Sequence, residues 1–514
     1  VPDKLQRSDP MSQSSTTATA IQPEFDTLWG HPKPLWMLFM AEFWERFAFY
    51  GIRWALTLYI VAQFFAGDAS GEGYASRTYG AYLALVYATA IFGGYVADRI
   101  IGYQKSILLG AVVMSLGLFM IMLPNQQLFL LGLSTVIVGN GLFKPNISSL
   151  VGKLYAQNDD RRDRGFTIFY MGINLGGFLA PLATGYLASE IFGTPQHQNY
   201  KVVFGAAGVG MLISTIWFFI GRAQLKGTGL LPEDPPAGNN MLKTIIGIVV
   251  AIPAVYALMA FVGAQALAWL LGLLFIAVAI YLLVEAKKTG RVQLDRVIAL
   301  LVLFGFNVTF WMFFEQAGSS FNFLAQNLVN RDMFGDGSFI FPTGWFQSIN
   351  SLAILAFAPV LSYVWYLTAS KKKEPSIPFK FGLGLLGNAL GFVVLMYALT
   401  NLVTGDGLIP LWPLVACYVL QSIGELCLSP IGLSMVTKLA PARVVGLAMG
   451  AWFLSVATGN NLSGLLAGEI SGETGMTIES ALAGFSFSFY LLLGAGIVLL
   501  LISPLINKLM HGVK

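Results

Sequence analysis

Apolar runs of roughly 20 residues recur along almost the whole chain, and a run of that length is what an α-helix needs to cross a bilayer. They fall at 35–65, 77–98, 104–123, 126–153, 166–189 and 200–221, then at 241–262 and 264–285, then at 294–325, 344–368, 378–402, 409–436, 445–468 and 482–507. The pattern predicts an all-α membrane protein with fourteen spans, grouped as six, two and six. Only 11% of residues are Asp, Glu, Lys or Arg, and the mean hydropathy is +0.69. An ordinary soluble domain carries about 25% charge. A soluble enzyme, a nucleic-acid binder and a disordered hub are therefore excluded. The 56 glycines suit membrane helices, whose interfaces favour small residues.

The spans divide the chain. A polar tail, 1–34, precedes a six-helix bundle at 35–221. Within the tail Met11 reads as a natural start, which makes Val1–Pro10 an addition, and no short apolar core marks a signal peptide. A Pro- and Gly-containing linker at 222–240 leads to an accessory pair of spans, 241–286, expected to be a lipid-facing hairpin. A second six-helix bundle follows at 294–508, then a short tail at 509–514. Of the 30 Lys and Arg, Arg46, Arg53 and Lys144 lie within spans, and Arg77, Lys201 and Arg331 lie in loops on the side away from the termini. The other 24 share the side of the termini. Basic residues collect on the cytoplasmic side, so both termini are expected in the cytoplasm and the protein in the cell membrane.

Catalytic signatures are missing. Cys417 and Cys427 share one apolar run, and His31, His197 and His511 fall in loops or tails. There is no Walker loop, no GxSxG and no HExxH. The sequence therefore reads as a non-enzyme without metal or cofactor. What remains is a set of ionisable residues at membrane depth: Glu42, Glu45, Arg46, Arg53, Lys144, Glu315 and Glu425. Each costs roughly 2.5–3.5 kcal/mol near the centre of a span. Such residues persist only when paired or when they line a watery cavity. Glu42, Arg46, Tyr50 and Arg53 fall on one stripe of the first span, with Glu45 at its edge, and Glu42 with Arg46 is an i,i+4 pair. Arg53 has no acid within a turn, so its partner must come from another helix or a ligand. Pro145 should kink the fourth span beside Lys144. Glu315 and Glu425 have no basic neighbour in sequence.

The first span, EFWERFAFYGIR, closely resembles the ExxERFxYYG signature of the proton-dependent oligopeptide transporters, a branch of the major facilitator superfamily. GGYVADRIIGYQK is similar to the superfamily's motif between spans 2 and 3, FYMGINLGG to the family's FYxxINxGSL, and GELCLSPIG to its span-10 motif. The resemblance covers about residues 35–510, and bacterial members commonly carry the extra central pair. It implies the superfamily fold, with roles residue by residue. Glu42, Glu45 and Arg46 are linked to proton coupling, as is the span-7 carboxylate Glu315. Arg53 receives the peptide carboxylate, with Lys144 nearby, and Glu425 faces the peptide amino terminus. Asn174 and Asn350 supply amides, and Tyr50, Tyr87, Trp311 and Trp452 become pocket walls. The chain departs from the signatures at Phe49, which replaces the first Tyr of YYG, and at Gly177-Phe178, which replaces Ser-Leu. The span-2 histidine of animal members has no counterpart.

These expectations join into a mechanism. A proton-driven symporter takes up di- and tripeptides, and peptide-like drugs, by alternating access between two bundles, working as a monomer in the lipid bilayer. Arg53 pairs with Glu315 in the absence of substrate, and a proton on Glu315 releases Arg53 to the peptide carboxylate. The proton is the coupling ion. A transporter of another anion such as nitrate, and a peptide sensor that moves nothing, remain alternatives.

Overall fold

The structure, a computed structural model, describes residues 24–156, 159–231, 240–371 and 373–513. The reading of Met11 and Val1–Pro10 lies outside the described residues, as does most of the linker. A two-stranded hairpin, β1 (Thr27–Leu28) and β2 (His31–Pro32), precedes the helices. The first bundle holds α1 (Lys33–Arg53), α2 (Ala55–Phe64), α3 (Glu72–Val96), α4 (Tyr103–Met120), α5 (Gln126–Gly152), α6 (Arg162–Tyr186) and α7 (Tyr200–Gly221). The central pair is α8 (Asn240–Ala257) and α9 (Gly263–Thr289). The second bundle holds α10 (Arg291–Phe314), α11 (Ser320–Asn327), α12 (Trp345–Ser370), α13 (Ile377–Asn401), α14 (Trp412–Leu426), α15 (Ser429–Leu439), α16 (Val445–Ser471) and α17 (Ile478–Leu509).

Among the described residues twelve helical stretches are individually long and apolar enough to cross a membrane, and the bent pair α1–α2 makes a thirteenth. One of the twelve, Asn240–Thr289, has 50 residues. As a single helix it would be about 75 Å long, more than twice the ~30 Å hydrocarbon core. It is two spans, because a π-turn at Leu258–Val262 and a left-handed Gly263 (φ +73°) separate α8 from α9. The six-two-six grouping follows.

Three spans that read as continuous in sequence are broken. The chain bends by 46° between α1 and α2. There the Asn322 side chain donates to the carbonyl of Trp54, the residue that caps the start of α2, at 3.1 Å. The second break is a 3₁₀ turn, Glu315–Gly318, between α10 and α11. The third falls at Cys427–Leu428, before Pro430 in the first turn of α15. By contrast α5 runs on through Pro145. Proline leaves the Gly141 carbonyl without its usual donor, and that oxygen lies so close to Gly93 of α3 that a Cβ there would overlap it.

The bundles meet along α3 with α16 and along α6 with α12. The first crossing is a glycine contact: a Cβ on Gly80 would stand 2.6 Å from the Gly464 Cα. At the second, Ser348 Oγ donates to the Phe178 carbonyl at 2.7 Å and Trp345 Nε1 to the Leu182 carbonyl at 3.0 Å. These contacts close the end of the molecule away from the described C-terminus. The central pair shows an apolar outer face, with Ile246, Val250, Trp269 and Leu273 exposed. Its first helix docks on the first bundle and its second on both bundles. α8 lies on α5, whereas α9 lies on α16, α10 and α3, and Asn461 Nδ2 donates to the Ala264 carbonyl at 2.8 Å.

Gly247 in α8 and Gly263 at the turn both face open space, but only Gly263 has a positive φ. An L-residue in that conformation costs roughly 1–2 kcal/mol. Gly263→Ala is therefore expected to lower the melting temperature in detergent and Gly247→Ala to leave it unchanged or raise it. Equal effects in thermal unfolding would refute the assignment of the turn.

Candidate functional site

Two buried charge clusters form on α1, and the helical stripe explains both. Arg46 Nε stands 3.2 Å from Glu42 Oε1. Arg46 also grips Glu45 with two hydrogen bonds, one from Nε to Oε2 and one from Nη2 to Oε1 at 2.6 Å. Asn140 of α5 donates to Glu45 Oε1 at 3.1 Å. All four side chains belong to the first bundle, so this cluster does not cross between the halves. The bidentate fork is the strong form of the Arg–carboxylate pair.

Arg53, at the end of α1, does cross. Its Nη2 donates to Glu315 Oε2 at 2.7 Å, and its Nε to the Tyr79 hydroxyl at 3.1 Å. Both members of the pair are buried. Tyr79 reaches the guanidinium only because residue 318 is glycine; a Cβ there would overlap the phenol. Across the cavity, Glu425 Oε2 accepts from Asn350 Nδ2 at 3.0 Å, and that amide also donates to Ser422 Oγ at 2.9 Å. Among the described residues Glu425 has no ion-pair partner. Lys144 has none either; its ammonium sits 4.0 Å from the centre of the Tyr87 ring and 5.9 Å from that of Phe49.

Between these groups lies a cavity of about 80 Å³, bounded by Tyr50, Arg53, Tyr87, Trp311, Glu315, Asn350 and Glu425, with Phe49, Leu83 and Phe314. It has room for a few waters but not for a dipeptide, so the halves are closed around it. A smaller void beyond Arg53 is bounded by Gln347, Tyr418 and Gln421. Arg53 and Glu425 thus place a cation and an anion on one cavity, from opposite bundles, with the Asn350 amide beside the anion. Such a site suits a zwitterion with amide groups. Among the described residues no group of three or more His, Cys, Asp or Glu is placed to hold a metal ion.

The sequence-predicted residues separate in space. Tyr50, Arg53, Tyr87, Trp311, Glu315, Asn350 and Glu425 come together at the cavity. Glu42, Glu45 and Arg46 form the neighbouring cluster, and Lys144 stands behind Tyr87. Asn174 and Trp452 lie outside the cavity wall. The Asn174 amide donates to the Tyr170 carbonyl one turn back, at 3.0 Å. Trp452 is buried against Phe304 and Phe381, and Gly432 makes room for its ring. Sequence reasoning missed Tyr79, Asn140, Gln347, Tyr418 and Gln421. Helical spacing offered a signal for some: Tyr79, Leu83 and Tyr87 share a face, as do Asn140 with Lys144 and Gln421 with Glu425.

Removing a fully packed ring costs about 3–5 kcal/mol. Trp452→Ala is expected to approach that range, as a lower melting temperature in detergent. Trp311→Ala should cost less, because its ring borders the cavity. The order of the two melting temperatures is the check.

Comparison with known proteins gives the family. The sequence profile described as the POT family matches residues 104–481. The chain is 36% identical to the peptide transporter YePEPT of Yersinia enterocolitica, over 95% of this chain and 97% of the relative. It is 34% identical to dipeptide and tripeptide permease B of Salmonella typhimurium, over 85% and 86%. Among solved structures, a peptide transporter POT in complex with sulfate superposes with a TM-score of 0.81 at 34% identity, covering 96% of this chain and 98% of that one. A POT family transporter in complex with 5-aminolevulinic acid gives 0.79 at 31%, covering 94% and 98%. The fold is that of the major facilitator superfamily, in a multi-pass membrane protein, and the chain belongs to the POT family of peptide transporters.

Proposed function

We infer that the protein is a symporter that couples inward proton movement to uptake of di- and tripeptides by alternating access, with both termini in the cytoplasm. The observation that carries this reading is the buried Arg53–Glu315 pair between the two bundles, on the same cavity as Glu425. Breaking a buried pair by removing one partner costs about 3–5 kcal/mol. The pair therefore opens readily only when both members gain new partners. A proton serves Glu315, and a peptide carboxylate serves Arg53. Glu425, held by Asn350 but not by a cation, is left for the peptide ammonium. Binding of proton and peptide together is then what allows the bundles to part. Relatives named as dipeptide and tripeptide permeases, and a POT family structure holding a thioalcohol-conjugated peptide, support the substrate class.

The Glu42–Arg46–Glu45 cluster lies about two to three turns back along the same helix. One of its oxygens, Glu42 Oε2, is buried without a hydrogen-bond partner among the described residues. A proton on that oxygen would relieve two carboxylates sharing one guanidinium, which fits a part in proton transfer.

The test is uptake of a labelled dipeptide into proteoliposomes under an imposed inward proton gradient, with nitrate as a competitor. Glu315→Gln is expected to keep peptide exchange but to lose uphill uptake; full uphill uptake by that variant would sink the coupling scheme. Glu425→Gln removes a charged partner worth about 1.5–3 kcal/mol, so the KM for peptides with a free amino terminus should rise about tenfold or more. An unchanged KM would remove Glu425 from the site.

A further inference from the structure

The end of the molecule closed by the α3–α16 crossing holds a cavity of about 760 Å³, far larger than the central one. It lies between the bundles, bounded by α2, the loop before α7, and α11. Glu72, the first residue of α3, is on its wall and only 2% exposed. One carboxylate oxygen accepts from Asn327 Nδ2 at 2.7 Å, the other from the Met476 backbone N–H at 2.8 Å. Both donors are neutral, and both belong to the second bundle. Among the described residues Glu72 has no ion pair, whereas Arg77 of the same helix has Glu469 at 3.0 Å. A buried carboxylate without a facing cation is an unfavourable arrangement unless something compensates it. The same wall carries Lys201 and His197. It also holds two buried groups without hydrogen-bond partners among the described residues, the Tyr59 hydroxyl and the Gln198 amide.

We propose that this cavity is a second peptide site, occupied before the central one, in which Glu72 takes the peptide ammonium and Lys201 the carboxylate. The assignment rests on the peptide reading above and adds a site to it. The Tyr59 hydroxyl and the Gln198 amide, buried in that wall and without partners among the described residues, would turn toward the cavity to meet the peptide backbone. The site also bears on opening. An ammonium on Glu72 competes with Asn327 and the Met476 N–H for the same oxygens, and these contacts tie α3 to the other bundle. With the termini in the cytoplasm the cavity faces outward, so it acts on peptide arriving from outside and not on peptide leaving from inside.

That asymmetry is the test. Radiolabelled dipeptide influx and efflux are measured in cells for the unaltered protein, Glu72→Gln and Lys201→Gln. Loss of one charged contact should raise the influx KM about five- to tenfold, with the efflux KM unchanged. A KM unchanged in both directions, or raised equally in both, overturns the site. If Glu72→Gln fails to fold, the half-exposed Lys201 decides by the same criterion. Absence of peptide transport by the unaltered protein is a different failure; it removes the peptide reading itself, and this site with it.

Discussion

Burying a charge in a low-dielectric interior is tolerable only when an opposite charge or a full set of hydrogen bonds faces it, and this chain meets that condition in two different ways. The Arg46 cluster meets it within one bundle, with two carboxylates around one guanidinium and the Asn140 amide donating to Glu45. Rigid-body motion of the halves leaves that cluster intact. Arg53 and Glu315 meet it between bundles, so the same motion exposes both charges to loss of their partner. Glu425 and Lys144 meet it only in part, with an amide on one and aromatic faces on the other. The arrangement separates a permanent charge cluster, a breakable pair and two charges with capacity to spare. The coupling proposed above would draw on all three kinds.

Closure on the side away from the C-terminus relies on different physics. Glycines at the α3–α16 crossing and side chain-to-backbone hydrogen bonds at α6–α12 hold the bundles together there. Between membrane helices there is no hydrophobic drive toward association, since lipid is as apolar as leucine. Close backbone approach supplies dispersion contacts in its place. Such contacts can separate without stranding a charge. The exposed Arg77–Glu469 pair adds little, because water can take over each partner.

Much of this was legible in the sequence, where one physical rule dominated. Span length set the six-two-six grouping, and even the division at residue 263 coincides with the left-handed Gly263. Helical periodicity placed Glu42, Arg46, Tyr50 and Arg53 on one stripe, and the lack of a local acid sent Arg53 to another helix. Other features depended on distant partners. Glu45, at the edge of the stripe, makes the closer contact with Arg46, because the long arginine folds back and Asn140 from another helix fixes the carboxylate. The neutral contributors Tyr79, Gln347 and Gln421 went unnoticed because hydroxyls and amides at membrane depth raise no alarm comparable to a charge. Asn174 and Trp452 show the limit of a motif: it places a residue on a helix, but rotamer and packing decide what the side chain touches.

The breaks in the spans were also hidden, and they explain how the charges are positioned. Arg53 is the last residue of α1, Glu315 begins the 3₁₀ turn after α10, and Glu425 is the penultimate residue of α14. All three cavity charges therefore sit at a discontinuity. A charge in mid-helix can change partners only by changing rotamer, while its backbone stays fixed. A charge at a break can also move with the segment beyond it, and helix ends supply free carbonyls that satisfy polar groups at membrane depth. Asn322 illustrates the connection: from the second bundle it donates to the Trp54 carbonyl, at the bend next to Arg53. Parting of the bundles would break that contact as the Arg53–Glu315 pair opens. The ion pair and the contact at the bend would then be lost together, because both come from the same neighbouring bundle.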